Sequence, residues 1–390
     1  MRMNPFKISA LCGTLVVSLL ISFIPGAEGR SADAETCRLK KISNWPLAPG
    51  FPRDSSLVPS TGKIRHLFIF VDFPDNKSNL ASRKFTDQYF LGAKNFIEAQ
   101  SYGRLKIESD STLKVFRIDK NSSSYGMFED GQGDGGQLIQ DAITAADPST
   151  DFSKYDFVTV IPPRNTATIK SGGTHMGGPN QYKSQEKSFS SGVTIGSNKL
   201  SNFSERGFGW TMFSHEIGHV LGLTHPFYQR DGRSGAIWDL MGNGGTSVPE
   251  FIGWHRFELG WLKESEVLCL SKLDQNPKSI ALSPINSKVS NIKFAMVPLD
   301  PTKALGIEVR RTSKYDNLAP YEEGTIVYLI DVSKGDDEGI ISILGKKGTT
   351  REGQTLETLR LSEKVIYQGI TIKVTASGKS GDRIEISSSQ

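Results

Sequence analysis

The sequence predicts an α+β chain in two unequal parts. Helical and strand patterns interleave through residues 63–265, whereas residues 266–390 carry only short alternating runs of the all-β kind. A third observation is an amphipathic helix pattern that carries half of the chain's six histidines. At 390 residues the chain is long enough for two domains, its 37% hydrophobic content permits ordinary cores, and its 39 glycines require many turns. The net charge of +4 is slight for this length, and no basic block carries interleaved aromatics, which argues against a nucleic-acid partner.

The first thirty residues differ from the rest. Arg2 and Lys7 precede an apolar run from Ile8 to Ile24, followed by Pro25, Gly26 and small residues from Ala27 to Gly29, the layout of a secretory signal. Residues 1–29 are therefore assigned to a signal peptide cleaved after Gly29 or Ala34; the alternative is an uncleaved anchor, because the run approaches the lower limit of a membrane span. No later stretch is long and apolar enough to cross a bilayer, so a secreted, extracellular product is expected, and Cys12 lies too far upstream for a lipid-anchored start. Residues 30–62 form a proline-rich leader (Pro46, Pro49, Pro52, Pro59) that should run extended rather than fold as an independent prodomain. Cys37 and Cys269 remain as an even pair, and in an oxidising compartment one disulfide is the default expectation.

From Lys63 the chain reads as one domain. Leu67, Ile69 and Val71 alternate within a buried strand from Ile64 to Phe73. Tyr89, Phe90, Ala93, Phe96 and Ile97 recur at helical spacing until Ser101-Tyr102-Gly103 stops the pattern, and a strand restarts over Leu105 to Ile107. A second helix is predicted over Gly135 to Ala146. Its lead-in, Asp130-Gly131-Gln132-Gly133-Asp134-Gly135, superficially resembles a calcium loop, but the twelfth position is Asp141 and the incoming helix is missing, so a glycine-rich turn with Asp134 as helix cap is preferred. Asp156 to Ile161 is a further strand. Thr166 to Arg206 is polar and rich in glycine and serine, contains a candidate strand at Gly192 to Gly196, and should shape a cleft. His175 in that stretch is read as a solvent-exposed loop histidine, with assistance to an oxyanion as the alternative; His66 and His255 are read as structural. Asn76, Asn121 and Asn202 begin glycosylation sequons.

The histidine helix follows as His215-Glu216-Ile217-Gly218-His219-Val220-Leu221-Gly222-Leu223-Thr224-His225. Residues four apart stand one above the other on a helix, so His215 and His219 can face one metal ion. Phe213, Ile217, Val220 and Leu221 fall on roughly the opposite side and supply a stripe to bury. Gly222 can take the left-handed conformation that ends a helix, which lets His225 return as third ligand. Three histidines fill three corners of a zinc tetrahedron and leave the fourth for water, the arrangement of a catalytic site. Zinc lowers the pKa of such a water from near 16 to about 7, and Glu216 is the candidate general base that takes its proton during attack on a carbonyl carbon.

Downstream, Trp238-Asp239-Leu240-Met241-Gly242 places a methionine in a tight, glycine-containing segment. With that methionine the chain resembles the metzincin metallopeptidases, and Met241 matches the turn methionine that packs beneath their metal. Asp239-Leu240-Met241-Gly242, Gly253-Trp254 and Leu259-Gly260-Trp261-Leu262 are most similar to the secreted immune-inhibitor-A-like peptidases, with the gametolysin-like group close behind. The chain departs from them at His225, where immune-inhibitor-A-like enzymes commonly carry aspartate, and at Asn243, where some metzincins carry a tyrosine; no tyrosine switch is carried over. The resemblance implies a metzincin-type catalytic domain, a twisted mixed sheet plus an active-site helix, with zinc as cofactor and protein or peptide substrates. It also implies a peptide lying antiparallel along an edge strand, for which Val193 to Ile195 is the candidate, and it offers Cys37 a second role as a latency thiolate on the zinc.

Beyond Leu262 the runs Ser279 to Leu282, Ile292 to Val297, Gly306 to Val309, Gly324 to Leu329, Ile340 to Leu344 and Ile370 to Val374 predict a sandwich-like all-β domain over residues 266–390. It is expected to pack on the catalytic domain or to contact a surface or glycan. Asp331, Asp336 and Asp337 are candidates for calcium, weighed against a solvated turn. The expectation for the whole chain is a secreted zinc-dependent endopeptidase with His215, His219 and His225 on the metal and Glu216 as base. The alternatives are a surface- or glycan-binding protein with a vestigial zinc site, which would need no Glu216, and a zinc hydrolase acting on non-peptide amides or esters.

Overall fold

The computed structural model describes residues 35–128, 133–170, 172–176, 180–197, 209–227, 238–242, 250–273, 275–345 and 357–389. The signal reading with Arg2, Lys7 and Cys12 lies outside the described residues, as do Asp130 to Gln132, Asn202 and Asn243.

The N-terminal half interleaves strands and helices. β1 (Gly62–Asp72) leads to α1 (Arg83–Gln100), β2 (Leu105–Arg117), α2 (Gly135–Ala146), β3 (Phe157–Ile161), β4 (Thr174–Met176), the small hairpin of β5 (Tyr182–Lys183) and β6 (Ser188–Phe189), β7 (Ser191–Thr194), α3 (Gly209–Val220) and α4 (Gly253–Glu258). The Ser82 hydroxyl caps α1 by accepting from Phe85 N at 3.2 Å, and Asp134 caps α2 by accepting from Gln137 N at 2.7 Å, as the glycine-rich turn reading expects. Asp141 accepts from Tyr125 Oη at 2.7 Å, Lys120 Nζ at 2.8 Å and Gln137 Nε2 at 2.8 Å, so it serves that turn.

One five-stranded sheet has the order β2-β1-β3-β7-β4, parallel throughout except for the edge strand β4. β1 is buried on both faces, as expected of a parallel sheet covered on both sides. Its Ile64, Phe68 and Phe70 join a core with α1 and α3, and its Leu67, Ile69 and Val71 join a second core with α2. The candidate edge strand Val193 to Ile195 requires correction. β7 is paired on both sides, with β3 through Thr159 opposite Val193 and with β4 through Thr174 opposite Val193, so the edge position belongs to Thr174–Met176.

The C-terminal region contains β-strands and turns. β8 (Val267–Cys269), β9 (Lys278–Leu282), β10 (Phe294–Asp300), β11 (Lys303–Arg310), β12 (Gly324–Asp331), β13 (Ile341–Ile343), β14 (Thr358–Leu359), β15 (Lys364–Tyr367), β16 (Ile370–Gly378) and β17 (Gly381–Ser388) form two sheets. The orders are β13-β12-β11-β10-β8, with β14 also on β12, and β15-β16-β17-β9. Alternate residues of β11 and β12 (Leu305, Ile307, Val309, Val327) meet Ile372, Val374, Ile384 and Ile386 of the other sheet, which makes a sandwich. The opposite face of the first sheet, with Phe294, Met296, Ile326, Tyr328 and Ile330, packs on Trp238, Ile252, Trp254 and Phe257.

The leader is part of this junction. Cys37 forms a disulfide with Cys269, which overturns the alternative of a Cys37 thiolate on a metal because its sulfur is already bonded. Arg53 Nε and Nη2 donate to Leu221 O at 3.0 and 2.8 Å, and Trp261 Nε1 donates to Ser60 O at 2.7 Å, so the extended leader closes over the end of α3.

Candidate metal centre

α3 presents two faces. Phe213, Ile217 and Val220 are wholly buried in the core shared with α1, while His215 and His219 lie one turn apart on the other side. The helix ends where the sequence requires. Gly222 has φ +100°, its N–H donates to His219 O at 2.8 Å, and Leu223 N–H donates to Gly218 O at 3.0 Å, the paired bonds of a Schellman turn. That reversal brings His225 back to the helix. The three Nε2 atoms stand 3.1 Å (His215 to His219), 3.2 Å (His219 to His225) and 3.3 Å (His215 to His225) apart.

Their chemistry fits a metal ion. Two ligands each about 2.0–2.1 Å from a tetrahedral zinc stand about 3.3–3.4 Å apart, close to every side of this triangle. The far nitrogens are tied: His215 Nδ1 lies 2.9 Å from Leu240 O, His219 Nδ1 2.7 Å from Leu223 O, and His225 Nδ1 3.2 Å from Asp336 Oδ1 and 3.4 Å from Asp337 Oδ1. Leu240 O, Leu223 O and the Asp336 carboxylate, through Oδ2 at 3.4 Å, are the acceptors for the Nδ1–H groups, which leaves the three Nε2 lone pairs converging on one point. Among the described residues the groups of side chains able to hold a metal are this triad and the adjoining set of His225, Asp336 and Asp337.

Burial lowers the pKa of His215, and burial with the neighbouring His215 and His225 charges takes His219 well below its usual value, so both remain neutral donors. Burial also opposes charge on His225, but the carboxylates of Asp336, Asp337 and Glu216 outweigh it and raise that pKa. The same negative field that favours an imidazolium favours a cation seated at the imidazole.

Glu216 is buried beside the triad and acts electrostatically on both His215 and His225. Thr174 of the edge strand holds it: Thr174 Oγ1 lies 2.9 Å from Glu216 Oε2 and 2.9 Å from Glu216 O. Nothing in the sequence marks Thr174, since its contact with Glu216 spans 42 residues. Met241 lies wholly buried in the same core as α3. A Cβ at Gly218 would come within 2.3 Å of Met241 Sδ, so the glycine between the two helical histidines makes room for the methionine. Asp239 Oδ1 accepts from Met241 N at 2.7 Å and its Oδ2 accepts from Ile252 N at 2.8 Å, which fixes the turn.

Other residues fall elsewhere. His175 is on β4, half-buried, with Nε2 2.9 Å from Thr194 Oγ1, so it is a strand residue and not the solvent-exposed loop histidine expected. His66 sits between Ser109 and Thr159 at 2.8 Å each, and His255 pairs with Asp239 at 2.9 Å; both are buried and structural. Asp331 accepts from Ser333 N at 3.1 Å within its own turn, apart from Asp336 and Asp337, which face His225.

Residues 99–226 match the family described as metallo-peptidase family M12B, reprolysin-like. This stretch is similar to zinc peptidases. It covers about a third of the chain, from the end of α1 to the residue after His225, and so includes Glu216 and all three imidazoles. No curated protein matches the chain.

Proposed function

We propose that the protein is a secreted zinc-dependent endopeptidase in which His215, His219 and His225 hold the metal and Glu216 is the general base. The observation that carries this reading is the triangle of Nε2 atoms, 3.1–3.3 Å on a side, beside a buried glutamate. Bound there, zinc supplies a Lewis acid and makes water acidic near neutral pH. Glu216 accepts the proton of the attacking water and returns it to the leaving amine nitrogen. Thr174 Oγ1, 2.9 Å from Oε2, holds that carboxylate in place. The short edge strand β4 is antiparallel to its neighbour and adjoins Glu216 through Thr174, which suits it to align an extended peptide by main-chain hydrogen bonds.

Residues 63–265 form the peptidase unit in this reading and residues 266–390 the β-domain, with the immune-inhibitor-A-like likeness resting on the run from Asp239 to Leu262. The Cys37–Cys269 disulfide supports export to an oxidising compartment, and no helix among the described residues is long and apolar enough to cross a membrane.

Glu216→Ala should abolish casein hydrolysis while zinc remains bound at one equivalent, and His219→Ala should lose both. Proteolysis retained by either purified variant defeats the mechanism; hydrolysis of esters with no peptide cleavage by the wild type defeats the substrate class.

A further inference from the structure

The third imidazole is held differently from the other two. His215 and His219 are tied to carbonyls of Leu240 and Leu223, close to the helix in the fold. His225 is tied to the turn between β12 and β13, 111 residues downstream in the C-terminal region. Side-chain and backbone contacts make that attachment. Asp336 Oδ1 accepts from His225 N at 2.6 Å and lies 3.2 Å from His225 Nδ1, Asp337 N donates to His225 O at 3.3 Å, and Ile341 N donates to Pro226 O at 2.8 Å. The segment is thus gripped by backbone and side chain together, and Phe227 beyond it is buried against Ile330, Ile340 and Ile341.

The turn is itself braced. Glu338 Oε2 accepts from Gly335 N at 2.7 Å, Asp331 O accepts from Lys334 N at 3.2 Å, and Asp337 holds φ +60°. The stretch that matches the peptidase family ends at Pro226, so the clamp lies outside it.

We propose that the Asp336-Asp337 turn is a working part of the metal centre: a positioning element that sets the ring of His225, so that both halves of the chain build one zinc site. The inference rests on the zinc reading above. A ligand whose second nitrogen is held by a carboxylate binds metal more tightly, typically by 10- to 100-fold relative to the same ligand without its partner. The β-rich region then completes the metal centre as well as packing beside it.

The test uses the full-length protein, with zinc affinity measured by chelator competition and the visible spectrum recorded after cobalt(II) loading. Asp336→Ala should weaken zinc binding by about 10- to 100-fold and alter the cobalt spectrum, with the metal-free melting temperature recorded beside each value. Asp336→Asn keeps the size of the side chain and an acceptor oxygen, so it preserves the turn and should bind zinc with an affinity between alanine and wild type. Wild-type affinity and spectrum in both variants overturn this inference alone. A wild-type chain that takes up no zinc overturns the metal reading itself, and the inference falls with it.

Discussion

Thr174 shows how one side chain can govern the site without belonging to its motif. Its hydroxyl is 2.9 Å from the Glu216 carboxylate, and a hydrogen bond to a charged group is worth about 1.5–3 kcal/mol. Thr174→Val should therefore lower kcat on the order of 10- to 100-fold with zinc content unchanged. An unchanged kcat removes Thr174 from the machinery. His66 makes a prediction of a different kind. It is fully buried, and burial pushes its pKa from 6.5 to about 3. As pH falls through 6.5 the unfolded chain binds a proton that the folded chain refuses until about 3, so this contribution to stability is complete above 6.5 and is lost across that window. One such proton costs at most about 1.4 kcal/mol per pH unit. Thermal unfolding at pH 7 and 4.5 should show a shallower acid loss in His66→Gln than in wild type; equal slopes refute it.

At the scale of the element, α3 and its exit carry the site. Most of this was legible: the apolar stripe of Phe213, Ile217 and Val220, the ligand spacing, and the stop at Gly222 all follow from helical period and glycine's access to positive φ. Gly222→Ala forces a side chain into the left-handed region, at about 1–2 kcal/mol, and its Cβ would meet Leu57 Cδ1 of the leader at 2.5 Å. The melting temperature should fall and zinc affinity with it, since the turn aims His225; a variant melting as wild type would show that the turn tolerates alanine. The edge strand was not legible. Thr174–Met176 has three residues and no alternation, whereas Val193 lies in the more apolar run and reads as the better strand. Both form strands, but position within a sheet depends on partners distant in sequence, which a local pattern does not encode.

At the scale of the whole molecule, the leader, the peptidase half and the β-rich half share one junction. Trp238, Trp254 and Phe257 pack on the β13-β12-β11-β10-β8 sheet, and buried charged side chains bond across the same contact: Arg310 donates to Trp238 O at 2.9 Å and to Glu250 O at 3.2 Å, and Asp316 accepts from Glu250 N at 2.6 Å. The Cys37–Cys269 disulfide closes a loop of 232 residues through this region. Replacing both cysteines with serine should cost about 2–5 kcal/mol, read as a lower unfolding temperature of the oxidised protein. No loss would mean that the junction holds without the covalent link.

The sequence by itself determined the α+β class, from its patterns along the whole chain, and the helix that carries His215 and His219 with the return of His225 beside them, which depend on spacing within eleven residues; the place of Met241 followed from the family resemblance. The tertiary structure decided which strand lies at the edge, that Thr174 holds Glu216, that Cys37 is bonded to Cys269, and that Asp336 and Asp337 face His225 instead of forming a separate site. The physical reason is separation along the chain. Helical period, caps and glycine turns act between near neighbours, whereas a carboxylate 111 residues away reaches an imidazole only after two sheets have packed.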